Sequence, residues 1–147
     1  MIDLKLELAT DADFRWLLGQ GPASRELRVA PDLAPVEILE IVRQLPANWL
    51  MIADTELVGI IGLKADDTEA VEIGYGVAAS RCARGFASAA VAALLPILRD
   101  RRVRVVLAET SVENPASQRV LERNAFDRVG SRIDDEDGPL IRWLRRL

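Results

Sequence analysis

The sequence predicts a single domain of the α+β (α/β) class, with about seven strands and about four helices. Strand-like and helix-like periodicities alternate along the chain, and no linker, repeat or low-complexity stretch separates them. At 147 residues, half of them hydrophobic and 29% charged, residues 1–147 also have the size and balance of one globular unit that buries a core without disulfide staples.

Ile2, Leu4, Leu6 and Leu8 alternate and read as the first strand. Thr10, with Asp13 three residues on, opens a helix whose apolar face holds Phe14, Leu17 and Leu18. Residues 19–33 are polar and punctuated by Gly21, Pro22 and Pro31, which makes them a loop. Pro35 then stands as a first helical residue ahead of Ile38, Leu39, Ile41 and Val42. Residues 49–53 and 56–64 read as strands around a tight Asp54-Thr55 connection, and 70–77 as a third after the polar turn Asp66-Asp67, an antiparallel meander.

Residues 86–98 are apolar almost all round, as a helix packed closely on a sheet requires, and Pro96 is expected to bend or end it. Residues 103–109 are a β-branched run, the mark of a buried central strand. A helix over 114–124 follows, capped by Asn114 with Pro115 next. Residues 126–133 and 140–144 close the chain as two strands around the acidic turn from Asp134 to Gly138.

Charge and composition exclude several classes of function. A net charge of −4 without a long run of one sign offers nothing to a nucleic-acid backbone. No apolar stretch approaches the ~20 residues of a membrane span, and the first five residues lack the pattern of an export signal, so a cytoplasmic protein is expected. The chain has no histidine and one cysteine, Cys82. That excludes a Ser-His-Asp or Cys-His triad, an ordinary zinc site and an intrachain disulfide, and no metal is expected. Proton chemistry falls to carboxylates, hydroxyls, Tyr75 or lysines.

Two constellations carry chemistry. From Glu72 to Ala90 a strand runs into a short loop with Arg84-Gly85, and a helix opens at once. Successive backbone N–H groups and the positive end of a helix dipole then converge on one spot, which suits a phosphate or pyrophosphate. Strand alternation puts Glu72, Gly74 and Gly76 on one face, and two glycines there mark a bulge or a close approach to the backbone. The plainer readings are an ion-paired carboxylate at Glu72 and a surface loop at Arg84-Gly85. The second constellation joins Glu109, at the end of a strand, to the cap Asn114 and to Ser117, whose hydroxyl lies along the apolar stripe of Val120 and Leu121. A hydroxyl bonded to the backbone of the first turn is the alternative there.

In this order and at this separation, the two constellations resemble the GNAT superfamily of acyl-CoA-dependent N-acetyltransferases, in particular the subgroup of ribosomal-protein N-terminal acetyltransferases. The resemblance covers nearly the whole chain. The family's pyrophosphate loop, Arg/Gln-x-x-Gly-x-Gly/Ala, reads here Cys82-Ala83-Arg84-Gly85-Phe86-Ala87, with Arg81 one position before the departing Cys82. The later pattern Asn-x-x-Ser-x-x-Val-Leu-Glu-Arg-x-Gly-Phe is matched from Asn114 to Phe126, with Ala125 in place of the glycine.

The resemblance implies a mixed, mostly antiparallel central sheet splayed between its fourth and fifth strands, 72–77 and 103–109, with acetyl-CoA wedged between them as cosubstrate. Pantetheine would bond the backbone near Val77 and Ala79, the pyrophosphate would sit on Arg84, Gly85, Phe86, Ala87 and Ser88, and Asn114 would line the pantetheine channel. Leu121 stands where many members place a tyrosine acid, and a serine at the position of Ser117 is the substitute in ribosomal-type relatives. Glu72 or Glu109 would be the general base. The implied function is transfer of acetyl from acetyl-CoA to a small-molecule or peptide amine, directly in a ternary complex. The alternative is a catalytically weak acyl-CoA-binding sensor or interaction module, which the departures at Cys82 and Ala125 motivate.

Other residues read more plainly. Cys82 is a loop thiol rather than a nucleophile, since no histidine activates it. Trp16, Trp49 and Trp143 read as core, and Arg25 and Arg28 as loop charges near the expected acceptor site. Acceptor identity and oligomeric state, a homodimer included, are left open by the sequence.

Overall fold

The computed structural model describes residues 2–67 and 69–147. Its elements are β1 (Lys5–Leu8), α1 (Asp11–Leu17), β2 (Arg28–Val29), α2 (Val36–Val42), β3 (Ala47–Ala53), β4 (Glu56–Asp67), β5 (Ala70–Val77), a single 3₁₀ turn (Ala79–Arg81), α3 (Phe86–Asp100), β6 (Val105–Ser111), α4 (Pro115–Arg123), β7 (Asp127–Asp134) and β8 (Gly138–Arg146). The main sheet runs β1-β3-β4-β5-β6-β8-β7, with β2 paired to β4 beside it. Along that path every pairing is antiparallel except β5 with β6.

Residue chemistry explains most of these elements. Thr10 and Asp13 form the expected capping box, each side chain accepting from the other's backbone N–H. Asp54 and Thr55 both take positive φ, 49° and 60°, which matches the twist of the β3–β4 hairpin they close. Asn114 caps α4 by accepting from the Ser117 N–H, with Pro115 at the first helical position. Asp134 closes the last hairpin by accepting from the backbone of Glu136 and Asp137 at 3.1 and 3.0 Å.

The structure departs from the sequence reading in four places. Among the described residues it has eight strands where about seven are expected: β5 ends opposite Gly59, which leaves the start of β4 open on that side, and Arg28–Val29 pairs there in parallel. Pro35 is the cap of α2 and not its first residue. Asp66 and Asp67 stay in the β4 ladder opposite Val71 and Ala70 instead of turning. Finally, of the two outcomes expected at Pro96, ending the helix does not occur: α3 continues to Asp100, because buried Leu94, Leu95 and Leu98 around the proline offset the hydrogen bond it cannot make.

Two cores sandwich the sheet. On one face Trp49, Met51, Ile61, Leu63 and Val106 pack under Val91, Leu94 and Leu98 of α3 and Leu121 of α4. On the other, Leu50, Ile52, Leu57 and Ile60 meet Phe14 and Leu39 below α1 and α2. Trp49 and Trp143 are buried, as read; the indole of Trp143 donates to Thr110 at 2.8 Å. The outer strand β7 is exposed along nearly its whole length and its ladder with β8 shifts register between Arg128 and Gly130.

Arg25 is neither a solvated charge nor a ligand for an acceptor. Its guanidinium holds buried Asp13 at 2.9 and 3.0 Å and Glu7 at 2.6 Å, and Ser24 donates to Asp13 at 2.6 Å. Burial pushes the Asp13 carboxyl up, but the bonds from Arg25, Ser24 and Thr10 outweigh it and hold its pKa at about 2. A carboxylate so depressed contributes stability that is complete above its unfolded pKa of about 3.9 and is lost as pH falls towards 2. Denaturant titrations at stepped pH should show a loss of about 2 kcal/mol between pH 4 and 2 that Asp13→Asn abolishes.

Candidate active site

The sheet forks between β5 and β6. Their parallel ladder holds three pairs, Ala70 with Val105, Val71 with Val106 and Glu72 with Leu107, and then stops. Glu72 therefore sits at the vertex of the fork. The N–H of Ala78 bonds Val58 across to β4 at 2.8 Å, so alternation turns the peptide groups of Tyr75 and Val77 to the opposite edge, into the opening.

At the mouth of the fork the Arg84-Gly85 turn runs directly into α3. Ala83 and Gly85 take positive φ, 61° and 81°, and Gly85 is the residue before α3. A side chain on Gly85 would be strained by that φ and would also collide with Ile2. The first intrahelical bond runs from the N–H of Ala89 to Gly85, so the N–H groups of Phe86, Ala87 and Ser88 belong to the unsatisfied first turn. Arg84 is exposed beside them. Arg81 does not stand in for the missing basic residue, because its guanidinium is spent on Glu56 at 2.8 and 3.0 Å. The Cys82 thiol is directed at the carbonyls of Val77 and Ala78, 3.8 and 3.5 Å away. Ser88 turns its hydroxyl and carbonyl to the buried Asn124 amide, both at 3.2 Å, which ties α3 to the end of α4.

The candidate catalytic side chains divide between the two faces of the sheet. On the α4 side, the hydroxyls of Tyr75 and Ser117 share a hydrogen bond of 2.9 Å. In the sequence Tyr75 is one of several possible proton carriers; its pairing with Ser117 links residues 42 apart. Burial pushes the phenol pKa up and the Ser117 bond partly offsets this. On the opposite face, Glu72 and Glu109 lie with Gly74 and Gly76. Glu109 is clamped by Arg132 at 2.5 and 2.8 Å, with Arg142 at 3.9 Å. That clamp, against the opposing effect of burial, holds its carboxyl below the usual range. Glu72 has a looser partner, the Lys64 ammonium at 3.5 Å.

Lys64, which the sequence does not single out, stands beside these candidate residues. It is the extra residue where the β4–β5 ladder shifts between Leu63 and Ala65, and its stem lies over Gly74, where a Cβ would come within 2.8 Å. The paired glycine signal was therefore real and half of it is explained: Gly74 clears space for Lys64, while Gly76 faces open space. Above this face lies a pocket of about 460 Å³ lined by α2, the segment before it, and strands β3 to β5. Asp32 at its rim accepts from the Ser80 N–H and hydroxyl at 2.7 and 2.6 Å, fastening that segment to the 3₁₀ turn. Among the described residues no group of three or more potential ligands could hold a metal ion.

The Acetyltransferase (GNAT) domain profile matches residues 3–127. The chain belongs to the GNAT acetyltransferase family. This assigns it acetyl transfer to amines with acetyl-CoA as donor and without a metal. No relative among the curated proteins matches its sequence. Among solved structures, it is similar to the acetyltransferase that modifies the N-terminal serine of 50S ribosomal subunit protein L7/L12 from Salmonella typhimurium (TM-score 0.73, 20% identity, 98% of this chain and 95% of that one). It is similar too to aminoglycoside acetyltransferase AAC(6')-Ib in complex with coenzyme A (TM-score 0.71, 19% identity, 98% and 95%). A GNAT-family acetyltransferase from Bacillus anthracis shares 24% identity (TM-score 0.61), with 67% of this chain covering 65% of that one. The GNAT fold of these neighbours is the α+β arrangement read from the sequence. No helix among the described residues is long and apolar enough to cross a membrane.

Tyr75 is the sole tyrosine, so its phenol can be followed alone by ultraviolet difference absorbance. It should titrate above the ordinary value of about 10, and Ser117→Ala, which deletes the bond that favours the phenolate, should move it further up.

Proposed function

We propose that this GNAT chain moves acetyl from acetyl-CoA to a primary amine by direct transfer in a ternary complex, with Glu72 as general base and the Ser117–Tyr75 pair as proton source for the leaving thiolate. The observation that carries the reading is the fork itself: Glu72 at its vertex on the pocket side and the hydroxyl pair on the other. In this reading the first-turn N–H groups of Phe86, Ala87 and Ser88, with Gly85 and exposed Arg84, hold the pyrophosphate, and the Val77 and Ala79 backbone meets the pantetheine. Asn114, by capping α4, sets Ser117 beside that channel.

The division between the glutamates follows from their partners. A base must accept a proton from the incoming ammonium before nitrogen attacks the thioester carbon. Both oxygens of Glu109 already accept from Arg132, whereas Glu72 faces one ammonium at longer range. At pH 7 an α-amine with pKa about 8 costs about 1.4 kcal/mol to deprotonate and a lysine about 4.6, so amines of low pKa ask least of Glu72. As the tetrahedral adduct collapses, the carbonyl re-forms, the carbon–sulfur bond breaks and the sulfur takes a proton from the hydroxyl pair, while the adduct nitrogen gives its second proton to solvent and the pair is reprotonated from solvent. The peptide N–H at Val77, turned into the fork, suits the oxyanion. Direct transfer is supported by the absence of histidine and by a Cys82 thiol directed at backbone carbonyls.

One observation favours the second reading, a cofactor-binding module with little turnover: Arg81 is held by Glu56 and leaves Cys82 uncompensated in the loop. Amine-dependent thiol release separates the two. Glu72→Gln should lower it about a hundredfold or more and Glu109→Gln less than tenfold, with CoA affinity unchanged by calorimetry. Tight CoA binding without release on any amine would establish the module instead.

A further inference from the structure

The pocket above β5 meets the candidate base through Lys64. Its other polar side chains are turned elsewhere: both carboxylate oxygens of Asp32 accept from Ser80, the buried Asn48 gives its amide nitrogen to the Val42 carbonyl, and Tyr75 turns its hydroxyl to Ser117 on the opposite face. Lys64 lines the pocket as well. The bulge after Leu63 and the space cleared by Gly74 hold its stem against β5, and its half-exposed ammonium stands 3.5 Å from Glu72 Oε2. That distance is longer than a good N–H···O bond, and an ammonium has three protons to donate.

This pairing decides what can approach Glu72. A simple amine arriving as an ammonium sets two cations on one carboxylate, because Glu109 on the same face is already clamped by Arg132. A molecule with a carboxylate one carbon from its ammonium removes that conflict. Its carboxylate accepts from Lys64, its ammonium turns to Glu72, and the four charges alternate in sign. The two charges of an α-amino acid lie about as close together as those of Lys64 and Glu72. The rest of such a molecule meets apolar walls, Leu33, Ile38, Leu39, Val42 and Ile60, and the open space over Gly76.

On the footing of the transfer reading above, we infer that the acceptor is a free α-amino acid with an apolar side chain: Lys64 binds its carboxylate, Glu72 takes its ammonium, and the pocket takes its side chain. A peptide N-terminus, whose first carbonyl is an amide, lacks the charge that Lys64 receives. A polyamine lacks it too and adds cations beside Lys64.

Calorimetry on the full chain saturated with CoA, at about pH 6 where these amines are cationic, compares L-phenylalanine, L-phenylalaninamide, phenethylamine and glycine. Phenylalanine should bind about tenfold tighter than each of the other three. Lys64→Met, which keeps an apolar stem over Gly74 and removes the charge, should cut its lead over the amide and phenethylamine to about twofold or less. The wild-type comparison stands as a test by itself if the variant does not fold. Equal or tighter binding of the amide or phenethylamine, glycine that matches phenylalanine, or a Lys64→Met chain that keeps the full lead would overturn the inference. Thiol release measured in parallel separates this inference from the reading beneath it. Release driven by phenethylamine or the amide but not by phenylalanine removes the amino-acid acceptor and keeps the transferase, whereas a tenfold phenylalanine lead with no release on any amine supports the pocket assignment and removes the transferase.

Discussion

Everything at the site depends on a ladder that stops early. β5 and β6 pair at three positions, and beyond Glu72 and Leu107 their facing edges part. A parallel pair left open would expose unsatisfied peptide groups to no purpose in a purely structural sheet. Here those peptide groups line a cleft whose mouth is the first turn of α3. The fork is kept open by what each strand binds on its other side: β5 is paired with β4 along its whole length, and β6 with β8 from Val105 to Ser111.

The fork also sorts the chemistry by face. Strand alternation sends Val71 and Ile73 into the α3 core and brings Tyr75 against Ser117, while Glu72, Gly74 and Gly76 go to the pocket side. A carboxylate and a hydroxyl pair thus stand on opposite sides of one opening without competing for each other's protons. The segment before α2 is anchored on the same framework, by β2 on the open start of β4 and by Asp32 on Ser80. The wall of the pocket and the loop at the mouth of the fork consequently share one fastening.

Much of this was legible in the residues. The capping box at Thr10, the Asn114-Pro115 cap, the meander and the Arg84-Gly85 turn each rest on local chemistry, and each is present. What escaped is what depends on distant partners. β2 has two residues, too few for a period, and exists because β4 has a free edge there. Pro96 reads locally as a place where the helix bends or ends, and burial on both sides of it carries the helix on to Asp100. Lys64 matters because a bulge aims it, and a bulge is a property of pairing rather than of sequence. The fate of Arg25 and Arg81, both spent on internal carboxylates, is likewise a matter of which acid lies across the fold.

The sheet ends in two unlike borders. β1 is four residues long and carries Lys5 and Glu7, while β7 is longer, interrupted by its register shift, and studded with Asp127, Arg128, Arg132 and Asp134. Another strand sliding alongside either border would meet charge or a broken hydrogen-bond ladder before it could extend the sheet. A chain with this much antiparallel sheet is thereby protected from edge-to-edge aggregation, even though Val129 and Ile133 stand exposed on that outer strand.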